Sequence, residues 1–231
     1  MTSRYRLLDI GWVLATNLFV LAGVIVWDWP AGNVFLVFWI ENAILGVTTA
    51  VRIATAEGPV EGQPRSDSIL RFPTWGRVGF FVVHYGIFSF VHLVFVTILA
   101  IGAGVEWSFW ALGMPALLIA LRYVVDLVRD WFLGGRRRRV NAEQAFWSPY
   151  PRLIVLHVAT LLGFFVAFPF GSGGLARAPW SAAVDGVRAW LASFGYSLST
   201  GVLLVALLMI LKTVADLATI RGWTSRLRPA D

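Results

Sequence analysis

Few side chains in this chain can do chemistry, and they sit where the surroundings are apolar. Two of the three histidines, His84 and His92, lie in the stretch FFVVHYGIFSFVHLVF, and the third, His157, follows Leu153-Ile154-Val155-Leu156. Glu41 and Asn42 interrupt another apolar run, Asn17 a weaker one, and a base followed four residues later by an acid occurs twice, as Arg122/Asp126 and Lys212/Asp216. Neutral imidazole with carboxylate suits Zn, Fe or Mn, while zero Cys and three Met argue against Cu(I). The metal candidates are therefore His84, His92 and His157, with Glu41, Asp126 and Asp216 as carboxylates. Glu41 is the candidate base of a metal-assisted hydrolysis, with Asn42 orienting it. His84 and His92 are eight residues apart, so they share a broad helix face but cannot form an i, i+4 chelate. His84 and His157, on separate segments, make the better ligand pair, and a b-type haem between them is a smaller alternative.

The elements that must hold these groups are membrane helices. The chain is 58% hydrophobic and 14% charged over 231 residues, against about 25% charge in soluble domains. One soluble core of this size cannot hide so much apolar surface. Apolar runs of about 20 residues, enough to cross roughly 30 Å of hydrocarbon, recur along the whole sequence. We read an all-α, polytopic bundle of six helices in one domain, 1–231, with spans at 8–27, 34–53, 78–101, 107–128, 153–170 and 198–220. A polar segment, 56–75, joins the second and third spans, and a short amphipathic piece, 182–194, precedes the sixth. The first span is too long for a signal peptide and lacks a small-residue cleavage site, so it reads as an uncleaved helix.

The net charge of +6 does not point to nucleic acid, because the arginines stand at helix ends and in short loops. Arg4, Arg6, Arg65, Arg71, Arg77, Arg129, Arg136 to Arg139, Arg152, Arg221, Arg226 and Arg228 fall on one side, and Arg177 and Arg188 on the other. That bias puts both termini in the cytoplasm. Trp27, Trp29, Trp75, Trp107, Trp131 and Trp223 lie near span ends, as interfacial rings do. The implied partner is the lipid bilayer, with homo-oligomers as a further expectation and a prokaryotic cytoplasmic membrane as the location.

Ionisable groups inside a bilayer mark a site or a buried partner. Counting residues from the span ends gives two polar layers. His84, His157 and the Arg122/Asp126 and Lys212/Asp216 pairs form the lower one. His92, Glu41 and Asn42 form the upper one, about 12 Å away at 1.5 Å per residue. Gly86, Ser89 and Gly163 are expected to let neighbouring helices approach. Leu121-Arg122-Tyr123-Val124-Val125-Asp126-Leu127 resembles Leu211-Lys212-Thr213-Val214-Ala215-Asp216-Leu217, so hairpin 77–131 reads as a weak parallel repeat of 152–223 in a set of three hairpins.

Trp39-Ile40-Glu41-Asn42, His84-Tyr85-Gly86 followed by His92, Pro149-Tyr150-Pro151-Arg152 leading to Leu156-His157, and Lys212-Thr213 with Asp216-Leu217 carry a family resemblance. In their order and spacing, over about residues 34–221, they resemble a family of small prokaryotic six-helix membrane proteins classed as a domain of unknown function. The resemblance implies the architecture and the same polar residues, and it implies no activity. The family's pattern carries a further His after the Asp-Leu of the last span, where this chain has Ala218-Thr219-Ile220-Arg221.

Three functions fit these residues: an intramembrane metal site, catalytic or structural; a proton-coupled transporter or carrier using layered His, Glu, Asp and Lys; and a membrane interaction or assembly protein whose polar groups only bond helices together.

Overall fold

A computed structural model of the chain describes residues 3–60 and 68–167, together with helical positions at 185, 186, 189, 190, 192, 193, 205, 206, 208–214, 216 and 217. The expected all-helical fold is what forms: the described residues contain no strand. The helices are α1 (Ser3–Val26), α2 (Ala31–Thr55), α3 (Thr74–Ala103), α4 (Phe109–Leu133), α5 (Ala142–Trp147) and α6 (Tyr150–Ala167). Helical positions between 205 and 217 make a C-terminal helical segment. Among the described residues three helices, α2, α3 and α4, are long and apolar enough to cross a membrane. The loop around Arg177, the ends of the fifth and sixth spans, Trp223, Ala218 to Arg221 and much of the proposed second repeat lie outside the described residues.

Helix α2 is the centre of the bundle and packs on α3, α4, α5 and α6. Two glycines let α3 come close. A Cβ at Gly32 would meet the Gly104 carbonyl oxygen at 2.1 Å, and one at Gly46 would meet the Tyr85 ring at 2.6 Å. Gly86, expected to serve this purpose, faces open space instead. The α2–α3 register is pinned by Trp39, whose Nε1 donates to the Ser89 carbonyl at 3.0 Å. At the far end the Asn33 amide donates to the Glu106 carbonyl and accepts from the Glu106 N–H, both at 2.9 Å, tying the α3–α4 connection to the start of α2.

Short devices end the helices. α1 stops where Asp28 takes a positive φ of 52° and the Trp29 N–H returns to the Gly23 carbonyl at 2.9 Å, a left-handed cap. Asn141 and Gln144 cap α5 reciprocally, satisfying two amide donors that the helix leaves free. Helix α4 carries wide π-helical turns at both ends, 109–113 and 127–133. Trp27, Trp75 and Trp107 are exposed, as expected of interfacial rings, but Trp29 and Trp131 are buried. Trp29 packs against Gly23, and Trp131 donates from Nε1 to the Thr55 hydroxyl at 2.8 Å.

The distribution of polarity is inverted relative to a soluble protein. Val83, Ile87, Phe90 and Ile101 on α3, and Leu117, Leu121, Val124 and Val128 on α4, are exposed. Glu41, Asn42, His92, Arg152, Lys212 and Asp216 are buried.

Candidate functional site

Most of the buried charges gather in one network drawn from five helical elements. Glu41 of α2 stands at its centre. Arg152 of α6 bonds Glu41 and the Tyr123 hydroxyl of α4 through separate nitrogens, and reaches Asp216 at 2.9 Å. Lys212 of the C-terminal segment donates to Glu41 Oε2 at 2.9 Å, to Asp216 Oδ2 at 2.7 Å and to the Asn17 side-chain oxygen of α1 at 3.0 Å. The Asn17 amide donates in turn to the Thr213 hydroxyl at 3.0 Å. Glu41, Lys212 and Asp216 are each at most 3% exposed.

Burial this deep costs several kcal/mol per ion, and only close partners and full hydrogen bonding offset it. The aromatic lining helps: the Lys212 ammonium lies 5.6 Å from the Phe38 ring centre, and Arg152 lies 5.7 Å from that of Tyr123. One group is less well served. Arg122 reaches Glu41 Oε1 only at 3.7 Å, beyond hydrogen-bond length, and its Nη1 is buried without a hydrogen-bond partner among the described residues. Among the described residues the cluster thus holds three cations, Arg122, Arg152 and Lys212, against two carboxylates, Glu41 and Asp216. A formal surplus of one positive charge remains.

A second ionic site lies nearer α5. Arg52 of α2 bonds Asp126 of α4 at 2.5 Å, and Arg129 bonds its neighbour Asp130 at 2.8 Å. Beyond the end of α4, burial pushes the Arg136 guanidinium down to about 10, and the nearby Arg52 adds to the effect while Asp126 and Asp130 oppose it. The two base–acid pairs read from sequence therefore part ways. Lys212 bonds Asp216, whereas Arg122 turns to Glu41 and Asp126 to Arg52.

The histidines sort differently from the expected layers. His84 Nδ1 is 2.7 Å from the Tyr150 hydroxyl, among Phe80, Phe88 and Phe146. His157 lies beside His92, ring centres 4.8 Å apart. The register explains this: Tyr150, at the start of α6, is level with His84, and two further turns bring both helices to His157 and His92. A haem between His84 and His157 finds no support in this arrangement, and the neighbouring His92 and His157 rings are too close to admit a macrocycle between them. His92 Nε2 is 2.7 Å from the Thr160 hydroxyl, and His157 Nδ1 donates to the Leu153 carbonyl at 3.1 Å.

Glu41 bonds the charges, whereas the partner of His92 is the Thr160 hydroxyl of α6. Asn42 does not orient Glu41. Its side-chain oxygen accepts from the Tyr85 hydroxyl at 2.6 Å. Among the described residues no three His, Cys, Asp or Glu side chains gather as ligands for a metal ion.

Sequence reasoning passed over Arg152, Tyr123, Tyr85, Arg52 and Thr160. Arg152 was assigned to the loop side as an orientation charge, yet α6 begins at Tyr150 and Arg152 is only 8% exposed. The readable signal was its position five residues before His157, inside the same apolar helix.

No curated protein and no solved structure matches this chain. A family model does match, over residues 1–229, covering the network, the histidines and the capping devices together; the chain belongs to DUF6498, a family of unknown function.

Proposed function

We propose that this chain is a multi-pass protein of the prokaryotic cytoplasmic membrane, with both termini in the cytoplasm, that binds a small anion at the Glu41–Arg152–Lys212–Asp216 network and carries it across. The ligand class is a carboxylate or phosphate. The observation that carries this reading is the unbalanced charge: among the described residues three cations, Arg152 and Lys212 buried and Arg122 half-buried, face two carboxylates, and Arg122 Nη1 has no hydrogen-bond partner. A net positive charge in low-dielectric surroundings is costly, and a bound anion cancels it. Arg122 supplies planar donors that match a carboxylate or phosphate. The exposed apolar faces of α3 and α4 support the bilayer location, and the one-sided arginines support the orientation. Six spans are few for a carrier, so a homo-oligomer belongs to the same reading.

The test uses purified full-length protein in detergent, with phosphate, sulfate and a series of monocarboxylates at matched ionic strength. The binding anion raises the melting temperature, with the gain growing as RT ln(1 + [L]/Kd), and Arg122→Gln abolishes that gain. Liposomes then take up the same labelled anion with wild type and not with Arg122→Gln.

A second reading is favoured by a separate observation: every other charge of the cluster is bonded within it, across five helical elements. On that reading the network locks the helices of a membrane assembly protein. It prevails if no anion stabilises the protein beyond the ionic-strength control, or if Arg122→Gln responds as wild type does.

A further inference from the structure

His92 and His157 are the polar groups that the charge network does not absorb. They sit on α3 and α6, and among the described residues neither ring is hydrogen-bonded to a charged side chain. Each is held through one nitrogen only. The Leu153 carbonyl can only accept, so His157 Nδ1 donates to it and Nε2 is the nitrogen left over. His92 is fixed through Nε2 by the Thr160 hydroxyl. The remaining atoms, His92 Nδ1 and His157 Nε2, are both buried and have no hydrogen-bond partner among the described residues.

Buried polar atoms are almost always bonded, so two bare ring nitrogens on adjacent imidazoles require a reason. An imidazole anchored at one nitrogen by a carbonyl or hydroxyl, with the other nitrogen bare, is the arrangement by which proteins prepare a metal ligand: the anchor sets ring orientation and tautomer. The rings are neighbours with centres 4.8 Å apart, and His92 is only 1% exposed.

We propose that His92 and His157 form a binding site for one divalent first-row cation that favours imidazole, with Zn²⁺ as its representative. His92 Nδ1 and His157 Nε2 are the ligand atoms, and Thr160 and the Leu153 carbonyl orient them. Glu41 and Asp216 do not join, because Arg152 and Lys212 hold them. His84 does not join either, being bonded to Tyr150 two turns away. With two protein ligands the remaining positions of a tetrahedral ion go to water or an incoming ligand, the mark of an open site rather than a closed structural one.

The experiment takes the metal-stripped, full-length protein in detergent and titrates Zn²⁺ by calorimetry. Co²⁺ is the optical probe, since its visible bands report imidazole ligation. Wild type and His84→Ala bind one equivalent each, whereas His92→Ala and His157→Ala bind at least tenfold more weakly and lose the Co²⁺ bands. His157→Phe keeps an aromatic ring against Phe88 and serves if the alanine variants fail to fold; it loses the metal while keeping the melting temperature of the metal-free protein. Wild type that holds no more Zn²⁺ than His157→Phe overturns the proposal. So does a loss in His84→Ala as large as that in His157→Ala, which marks adventitious binding by any histidine.

Discussion

The two buried polar regions solve the same solvation problem in opposite ways. Around Glu41 the groups are formally charged, and five helical elements supply partners for one another. Between α3 and α6 the groups are imidazoles, each bonded once and each left with one nitrogen unpartnered among the described residues. The difference is one of cost. A buried ion without a partner is far more expensive than a buried imidazole nitrogen without one. Charges therefore accumulate partners from every side, while histidines tolerate a bare atom that a ligand can use. Arg122 stands between these cases: it is charged, yet short of a close partner.

This contrast is broken most directly at its centre. Glu41→Ala removes an acceptor of both Arg152 and Lys212, and stability in detergent falls by about 3–5 kcal/mol, the usual cost of stranding a buried charge. A fall below about 1 kcal/mol, measured by reversible denaturation, would mean that water reaches the network. Next in size is the Lys212/Asp216 pair. Asp216→Leu alone costs about 3 kcal/mol, whereas the Lys212→Met/Asp216→Leu double variant costs less than Asp216→Leu, because it removes both signs of charge. Strict additivity in that double-mutant cycle would contradict the direct bond at 2.7 Å.

Tyr85→Phe removes the hydroxyl that donates to Asn42 and lowers stability by about 1–2 kcal/mol, the cost of a buried acceptor left unmatched. The smallest expected effects sharpen the comparison rather than break it. His157→Phe in the metal-free protein changes stability by about 1 kcal/mol or less, since it removes one neutral hydrogen bond to a carbonyl. Arg122→Gln, unlike any change at Arg152, leaves the anion-free protein as stable as wild type or slightly more so, because it removes the cluster's surplus cation. A large loss with Arg122→Gln would show that its 3.7 Å approach to Glu41 is a full partner's contact.

Much of the fold was legible in the chain. Apolar runs of spanning length lie under α2, α3 and α4, and most helix ends fall within a few residues of the expected ones. The polar residues of the site were legible as types, because Glu41, His92, Lys212 and Asp216 stand out in apolar surroundings. Their grouping was not. Counting depth from span ends placed Glu41 beside His92 and His157 beside His84, because it set Arg77 level with Arg152, whereas α6 starts with Tyr150 against His84, ten residues into α3. Arg152 shows the same limit, since a cation at a helix start looks like a loop charge until the helix is seen to begin two residues earlier.

The sequence by itself determined the all-helical class, the apolar outer faces and part of the inventory of buried ionisable groups, Glu41, His92, Lys212 and Asp216. These follow from composition and from the cost of leaving polar atoms in apolar surroundings. Only the tertiary structure decided who pairs with whom: Arg122 with Glu41 rather than Asp126, Asp126 with Arg52, and His92 with His157. Long basic side chains reach across helices as readily as along one, so spacing within a helix permits a pair without choosing it. The choice belongs to the register between helices, which here rests on Gly32, Gly46 and the Trp39–Ser89 bond.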